Sequence, residues 1–274
     1  MVNISFLSEL KVDSLYVKHC FYKDNKALNI DSPSWGMTVK KAGSMRFRWN
    51  EENILRDSFL SSLANDKEVV PVELIHSKIV YDVVSGEETV NKKGDGIITT
   101  NTALFPVITV ADCMPIFLYD SVSKVFGVLH SGWKGTGIVA EAIRLAEEKY
   151  KAHAEDFCVA IGPHIGDFCY IVDEERAEYF SSNFTENCVE KVESDMLSWN
   201  DSNKKLYRLS LTKANLSVLE KSGVKDSNIV VCDDCTCSSV IKNTVIHPYG
   251  SYRRETKGEA NAAFTVQAAF CAYF

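Results

Sequence analysis

Three short segments of the sequence combine glycine or proline with residue types that bind metals or act as nucleophiles. They are Ala111-Asp112-Cys113-Met114-Pro115, His130-Ser131-Gly132-Trp133-Lys134-Gly135 and Ile161-Gly162-Pro163-His164-Ile165-Gly166. Each lies at the end of a run of apolar, often β-branched residues, a pattern typical of a buried strand. Turns at strand ends often carry functional sites, because they expose side chains on a rigid scaffold. We therefore expect a functional site among these turns.

Cys113 and His130 supply the two donor types that zinc prefers, a thiolate and a neutral imidazole. A catalytic zinc needs a third protein ligand, with the fourth position left to water or substrate. His76, which follows the apolar stretch at 71–75, is the best remaining candidate by position. The three residues are far apart in the chain and form no short motif. From spacing alone, a core histidine and a buried thiol are the simpler interpretation, and the metal site stays open as the alternative.

Other polar side chains near these segments have two interpretations each. Asp112, beside Cys113, is placed either to orient a ligand through a hydrogen bond or to cap a turn. The guanidinium groups of Arg253 and Arg254 fit an anion such as phosphate, and they are equally compatible with a solvated turn. We retain all of them as candidate site residues.

The elements that must position these residues alternate between strands and helices. Strands are predicted at 106–110, 116–119, 125–130, 157–162, 205–210 and 228–232. Helices are predicted at 137–151 with Thr136 as the cap, at 173–180, and between Ser210 and Gly223. The gaps between the strands at 106–130 are too short for crossover helices, so some strands must be antiparallel. We predict an α/β (α+β) fold, a single domain over residues 1–274, with a mixed parallel and antiparallel sheet flanked by helices.

Composition excludes several classes of function. The net charge of −7 provides no basic field for nucleic acid. The longest apolar run, 103–119, is interrupted by Pro106, Asp112 and Pro115, so we expect no membrane span. The first 16 residues lack the basic and apolar regions of a signal peptide. Nine cysteines in scattered positions are then expected to be reduced. We expect a soluble, cytoplasmic enzyme with a small-molecule substrate, and the sequence does not indicate its oligomeric state.

Five blocks of the sequence resemble the YfiH family, also called the laccase-domain or polyphenol oxidase family. They are ADCMPIFLYD at 111–120, HSGWKGTG at 130–137, IGPHIGDFCYIV at 161–172, CDDCT at 232–236 and SYRRETKGE at 251–259. The resemblance implies a YfiH-like fold and a single zinc ion held by three ligands. On the positions of this chain, those ligands are His76, Cys113 and His130.

The same resemblance implies residues that contact the substrate. The family's Asn-Arg pair corresponds to Asn53 and Arg56, and Lys134 occupies the basic position of its Trp-(Arg/Lys)-Gly turn. Cys169 falls in the family's Cys-Cys-Tyr stretch, where Phe168 replaces the first cysteine. The predicted substrate-binding residues are therefore Arg56, Lys134, Cys169, Arg253 and Arg254. The predicted catalytic residues are Cys113 and Asp112.

The chain departs from the family pattern at three places. Glu73-Leu74-Ile75-His76-Ser77 stands where the family has Asn-Gln-Val-His-Gly, so the ligand is retained and its neighbours are changed. Ser44-Met45-Arg46-Phe47 stands in the region of the family's Ser-Leu-Asn-Leu-Gly block. Gly258-Glu259 replaces a terminal Gly-Arg and removes a basic group. The sequence leaves open whether these changes abolish the family's activity.

The resemblance implies a zinc-dependent purine nucleoside phosphorylase and adenosine deaminase, which acts on adenosine, inosine or methylthioadenosine with phosphate as co-substrate. The first alternative is a copper-dependent polyphenol oxidase. Only six histidines are present and no two are separated by a single residue, which argues against several coupled copper ions. A single copper ion in the same three-ligand site remains compatible. The second alternative is a cysteine hydrolase that uses Cys113 and His130, and needs no metal. The third is a zinc-stabilised binding module, disfavoured because structural zinc sites usually have four protein ligands.

Overall fold

A computed structural model describes residues 1–192, 206–259 and 261–274. The helices are α1 (Ile54–Ala64), α2 (Ile138–Tyr150), α3 (Glu174–Asn183), α4 (Leu211–Lys221) and α5 (Tyr252–Thr256). The strands are β1 (Val2–Ile4), β2 (Tyr16–Cys20), β3 (Tyr22–Lys23), β4 (Lys26–Ala27), β5 (Ser34–Thr38), β6 (Glu68–Pro71), β7 (Val80–Asp82), β8 (Gly96–Thr99), β9 (Leu104–Val110), β10 (Met114–Asp120), β11 (Phe126–Ser131), β12 (Phe157–Ile161), β13 (Ile171–Asp173), β14 (Val189–Lys191), β15 (Leu206–Leu209), β16 (Ile229–Cys232) and β17 (Gln267–Ala272).

Two large mixed sheets form the centre of the fold. The seven-stranded sheet has the order β1-β16-β12-β10-β11-β8-β7, with β10 antiparallel to both neighbours and parallel pairs toward its edges. The five-stranded sheet has the order β2-β5-β17-β9-β6, and only β6 and β9 are parallel in it. The predicted mixture of parallel and antiparallel strands is confirmed. The strands form several sheets rather than one: the chain changes from one large sheet to the other between β9 and β10, and β13-β15-β14 and β3-β4 form two smaller sheets.

The two sheets pack face to face, and helices cover their outer faces. Trp35 of β5 stacks on Phe117 of β10 with ring centroids 5.0 Å apart, inside the core between the sheets. Along β10, Ile116 and Leu118 point to the opposite face, where they pack in the same core as α2 and α4. Helix α1 covers the outer face of the five-stranded sheet. Strand β10 is buried along its length because both of its faces are covered, which explains its nearly continuous apolar sequence.

Capping side chains explain where most helices begin. The residues whose side chains accept a hydrogen bond from the first turn are Asn53, Asp173, Ser210 and Ser251. Ser210 was predicted as a cap, and helix α4 ends two residues before Gly223. The prediction for Thr136 is wrong, because its hydroxyl donates to the Gly132 carbonyl at 2.8 Å. Gly137 occupies the cap position of α2 instead, with φ of 96°.

A small antiparallel sheet with the order β13-β15-β14 packs with α3 beside the larger sheet. Most of the predicted strand at 205–210 forms β15, and residue 205 lies outside the described residues. In the described part of the chain, no helix is both long enough and apolar enough to cross a membrane.

Candidate active site

The turn between β9 and β10 brings Cys113 to the two candidate histidine ligands. In the β10–β11 ladder Pro115 lies opposite His130, so the residue before β10 faces the end of β11. His76 follows β6 and reaches the same point from the other sheet. The possible ligand atoms of His76, Cys113 and His130 all lie within 4.8 Å of one another. The two imidazole rings are 5.0 Å apart between centroids and nearly perpendicular.

This cluster suits a metal ion with an open coordination position. It offers one sulfur and two imidazole nitrogens, a donor set that fits zinc and also copper. His130 is buried, Cys113 is half-buried and His76 is exposed, so the cluster opens to solvent on the His76 side. Three protein ligands with access from one side correspond to the arrangement of a catalytic site rather than a closed structural one.

Asp95 holds both histidines in place, and the sequence did not predict this role. Its buried carboxylate lies 2.9 Å from Nδ1 of His130 and accepts the backbone N–H of His76 at 2.9 Å. It also accepts hydrogen bonds from the backbone N–H and the hydroxyl of Ser77, at 2.6 and 2.7 Å. The only signal in the sequence is an acidic residue between Gly94 and Gly96 at the start of a buried strand. Such a carboxylate fixes the orientation of a ligand histidine.

The electrostatics of the cluster favour a thiolate. Burial raises the pKa of the Cys113 thiol, but the charge and hydrogen bond of His130 outweigh burial and bring this pKa to about 6. For His130, burial lowers the pKa of the imidazole, while Cys113 and Asp95 raise it more strongly. The pKa of Asp95 is raised by burial and lowered to a greater extent by its bonds to His130 and Ser77. The cluster is therefore a set of mutually stabilised charges.

Backbone geometry is specialised around the cluster. His76 and Asp112 have φ of 59° and 80°, a region that side-chain-bearing residues seldom adopt. A Cβ atom on Gly132 would lie 2.7 Å from the Cys113 sulfur, so only glycine leaves room for the thiol. Strained backbone of this kind concentrates at functional sites because surrounding contacts hold it.

Asp112 has a different position from the one that a ligand-orienting residue requires. Its buried carboxylate accepts the Thr236 hydroxyl at 2.7 Å and the backbone N–H of Arg253 at 2.6 Å. The second contact lies in the first turn of α5, so Asp112 joins the turn of Cys113 to that helix. Of the two interpretations of Asp112, these contacts match the capping one, and Asp95 makes the bond to the ligand histidine.

The cluster lies in a cleft with a volume of ≈ 1380 Å³. Aromatic and basic side chains form much of the lining of this cleft. The lining includes residues 46–48 and residues of β13, α3 and the α5 region. The lining includes all three candidate ligands together with Arg253 and Arg254. The basic and aromatic lining residues that the sequence did not predict are Arg46, Phe47, Arg48, Trp133, Tyr170, Arg176, Tyr252, Lys257 and Phe264.

The predicted substrate-binding residues have different positions. Arg253 lines the cleft with an exposed side chain. Arg254 also lines the cleft, but its guanidinium donates to the carbonyls of Thr236, Cys237 and Tyr249 and pairs with Glu255. These contacts indicate a structural role for Arg254. The sequence could not show that Arg253 and Arg254 have different roles, because the carbonyl groups that bind Arg254 come from other parts of the chain.

Three further candidates do not line the cleft. Arg56 is buried on α1, where its guanidinium carbon lies 4.2 Å from the centre of the Phe47 ring. Lys134 is exposed, with its ammonium 5.8 Å from the Trp133 ring centre. Cys169 is half-buried against the core and lies near the thiols of Cys235 and Cys237. Arg56 thus supports a lining residue without facing the cleft.

Comparison with known proteins places the chain in a family. The sequence profile described as "Multi-copper polyphenol oxidoreductase laccase" matches residues 50–266, which is most of the chain. The chain belongs to this laccase family. Within the described residues, one group of at least three histidine, cysteine or acidic side chains is arranged to hold a metal, namely His76, Cys113 and His130. The family name mentions several copper ions, whereas the geometry provides for one ion.

Relatives in this laccase family include proteins named as nucleoside enzymes. A protein of Bacillus subtilis named "Purine nucleoside phosphorylase YlmD" is 34% identical over 150 residues, which are 54% of this chain and 51% of that protein. A purine nucleoside phosphorylase of Borreliella burgdorferi is 27% identical over 74% of this chain and 85% of its own length. "Adenosine deaminase RL5", from an unknown prokaryote, is 31% identical over 144 residues, or 52% of each chain. The match to the Bacillus subtilis relative spans about half of its length.

Two solved structures have a similar fold over most of the chain. Protein YfiH of Bacillus licheniformis aligns with a TM-score of 0.73 and 21% identity, covering 88% of this chain and 93% of that one. YlmD of Geobacillus stearothermophilus aligns with a TM-score of 0.70 and 23% identity over 89% and 92%. These structures confirm the predicted YfiH-like α/β fold.

Proposed function

We propose that this protein is a zinc-dependent purine nucleoside enzyme, which catalyses phosphorolysis of adenosine, inosine or methylthioadenosine, deamination of adenosine, or both. The observation that carries the proposal is the His76–Cys113–His130 cluster in a cleft lined by aromatic and cationic side chains. The names of the relatives, purine nucleoside phosphorylase and adenosine deaminase, support the same substrate class.

Each residue of the cluster has a distinct role in this proposal. His76, Cys113 and His130 would hold the metal, which supplies a Lewis acid that polarises an oxygen or nitrogen centre. Because Nδ1 of His130 contacts Asp95, Nε2 would be the nitrogen that binds the metal. The thiolate of Cys113 contributes the negative charge of the ligand set. The exposed side of His76 leaves room for substrate.

The cleft above the cluster matches the two parts of a phosphorolysis reaction. Aromatic rings such as Phe47, Tyr252 and Phe264 provide flat apolar surfaces of the kind on which a purine base stacks. Guanidinium groups provide forked donors for phosphate oxygens. Because phosphate would have to approach the sugar near the cluster, the arginines nearest to Cys113 are the ones that matter for the reaction.

A cysteine hydrolase is the second candidate, and one specific observation favours it. Cys113, His130 and Asp95 form a chain of nucleophile, base and orienting carboxylate. The acid beside His130 in this alternative is Asp95 and not Asp112, whose carboxylate contacts Thr236 and Arg253. The lowered pKa of Cys113 would also suit a nucleophile. This candidate predicts activity without a metal.

Metal analysis followed by assays separates the candidates. Freshly purified protein is analysed for zinc and copper, and then assayed with a panel of purine nucleosides, with and without phosphate, before and after a strong chelator. We expect about one zinc per chain and nucleoside turnover that disappears with the chelator and returns with zinc. Full activity after complete metal removal would favour the hydrolase, and bound copper with phenol oxidation would favour the oxidase.

The presence of nine free cysteines supports a reducing, cytoplasmic location as part of the proposal.

A further inference from the structure

Two guanidinium groups of the cleft have no acidic partner in the described part of the chain: those of Arg176 and Arg253. The other arginines of the lining are compensated. Arg46 makes two bonds to Glu51, Arg48 pairs with Glu73, and Arg254 is engaged as described above. Uncompensated positive charge in a cleft favours an anionic ligand, because the low-dielectric walls strengthen the attraction.

Arg176 is held rigidly in the wall. It lies in the first turn of α3, where its backbone N–H donates to the capping Asp173 carboxylate at 2.9 Å. Its guanidinium carbon lies 3.9 Å from the centre of the Trp133 ring, a distance typical of a cation–π contact. Its Nε atom is buried, and has no hydrogen-bond partner in the structure as described. A buried donor without a partner is costly, and a ligand oxygen would relieve this cost.

Arg253 approaches the same region from α5. Its backbone is fixed by Asp112, one guanidinium nitrogen donates to the carbonyl of Ile171 at 3.2 Å, and its guanidinium carbon lies 5.8 Å from the centre of the Tyr170 ring. The pKa of the Tyr170 hydroxyl is raised by burial and is also affected by Arg176, Cys113 and Arg253, so all three side chains lie near it. Tyr170 therefore connects the two arginines at a position close to the candidate metal ligand.

We infer that Arg176, Arg253 and Tyr170 form a binding site for a phosphoryl oxyanion beside Cys113. Two guanidinium forks and a phenol supply donors to a tetrahedral dianion from several directions. A tyrosine phenol, with an ordinary pKa of about 10, is a protonated donor at neutral pH. The oxyanion has two possible sources, free orthophosphate as a co-substrate or the phosphate ester of a nucleotide. The inference rests on the proposed function only for the identity of the purine part.

Equilibrium binding tests the site without depending on turnover. Orthophosphate, AMP and adenosine are titrated calorimetrically into wild-type protein and into Arg176→Gln and Arg253→Gln. Arg144→Gln is the matched control, because Arg144 pairs with Glu141 and Glu148 on the exposed face of α2, outside the cleft lining. We expect each cleft variant to weaken binding of the oxyanion about tenfold or more, and the control to leave it unchanged.

The three titrated compounds distinguish the two possible sources of the oxyanion. Arginine-dependent binding of orthophosphate, with a raised KM for phosphate and an unchanged affinity for adenosine, assigns the site to the co-substrate. Arginine-dependent binding of AMP, tighter than that of adenosine and without orthophosphate binding, assigns it to a nucleotide. Failure of both oxyanions to bind at millimolar concentration, or binding equal in wild type and variants, overturns the inference. If nucleosides are turned over but oxyanion binding does not depend on the two arginines, only the oxyanion site is refuted. If oxyanion binding depends on the arginines but no purine nucleoside is turned over, only the proposed function is refuted.

Discussion

The carboxylate of Asp95 lies 2.9 Å from Nδ1 of His130, and both side chains are buried. This contact fixes which imidazole nitrogen faces Cys113. The same carboxylate accepts hydrogen bonds from the backbone N–H groups of His76 and Ser77. One acidic side chain therefore positions ligands that come from two different sheets. This relationship makes Asp95 the most informative residue outside the ligand set.

We predict that Asp95→Asn lowers metal affinity by about 10- to 100-fold, as expected when the partner of a ligand histidine is lost. The neutral amide cannot match the charge of the carboxylate or accept as many hydrogen bonds. Affinity is measured by competition with a chromophoric chelator. Asp82→Asn is the control, because Asp82 is a similarly buried acid whose partners, Lys149 and Tyr150, do not line the cleft. Equal affinity in the two variants would contradict the role assigned to Asp95.

We predict that Cys113→Ala abolishes both metal binding and purine nucleoside turnover and leaves the fold intact. The substitution removes the only charged ligand of the set, and metal affinity depends steeply on ligand number. The fold is expected to persist because the Cys113 side chain is not part of the hydrophobic cores. Metal content, activity and circular dichroism are measured, with Cys188→Ala as a control at a buried cysteine outside the cleft. An inactive variant beside a fully active, metal-free wild type would show that Cys113 is a nucleophile.

We predict that Gly132→Ala reduces metal affinity at least tenfold, because the new methyl group would lie 2.7 Å from the Cys113 sulfur and displace it. Gly166→Ala is a matched control, since its methyl group would meet Cys235 at 3.4 Å, an ordinary contact distance. Chelator competition measures affinity, and thermal unfolding shows whether either variant is destabilised. Wild-type affinity in Gly132→Ala would mean that the thiol does not need its observed position.

We predict that alkylation of Cys237 by iodoacetamide rises with pH around a midpoint near 7. A hydrogen bond from Cys169 lowers the pKa of Cys237 to about 7, although burial acts in the opposite direction. The thiolate is the reactive form, so the rate increases as pH rises through this value. The neighbouring Cys235 has a strongly raised pKa, because of its bond to Cys169 and its burial, and stays unmodified. Pulse labelling with peptide mass spectrometry measures each site.

A variant tests the cause of this reactivity. In Cys169→Ala the hydrogen bond is lost, and the midpoint for Cys237 is expected to move upward toward that of an ordinary thiol, about 8.5. An unchanged midpoint in this variant would show that another group sets the pKa of Cys237.

Several elements of the fold follow from local patterns in the chain. Strands β10 and β11 were predicted because apolar, β-branched runs gain from burial on both faces, which is a property of the segment itself. Ser210 was predicted as a helix cap because its hydroxyl satisfies an N–H of the next turn. Thr136 was predicted as a cap for the same reason, and this prediction is wrong. Its hydroxyl donates to the carbonyl of Gly132 instead, a partner that the local sequence does not reveal.

The sequence by itself determined the residue types of the site, and only the tertiary structure decided which of them meet. His76, Cys113 and His130 stood out through their turns and the family blocks, and the fold brings their ligand atoms within 4.8 Å. Asp95 and Arg176 carry no motif, and their roles arise from contacts with residues distant in the chain. The chemistry of a side chain depends only on the residue type. The proximity of the site residues depends on how the two large sheets pack, which is a cooperative result of the whole core.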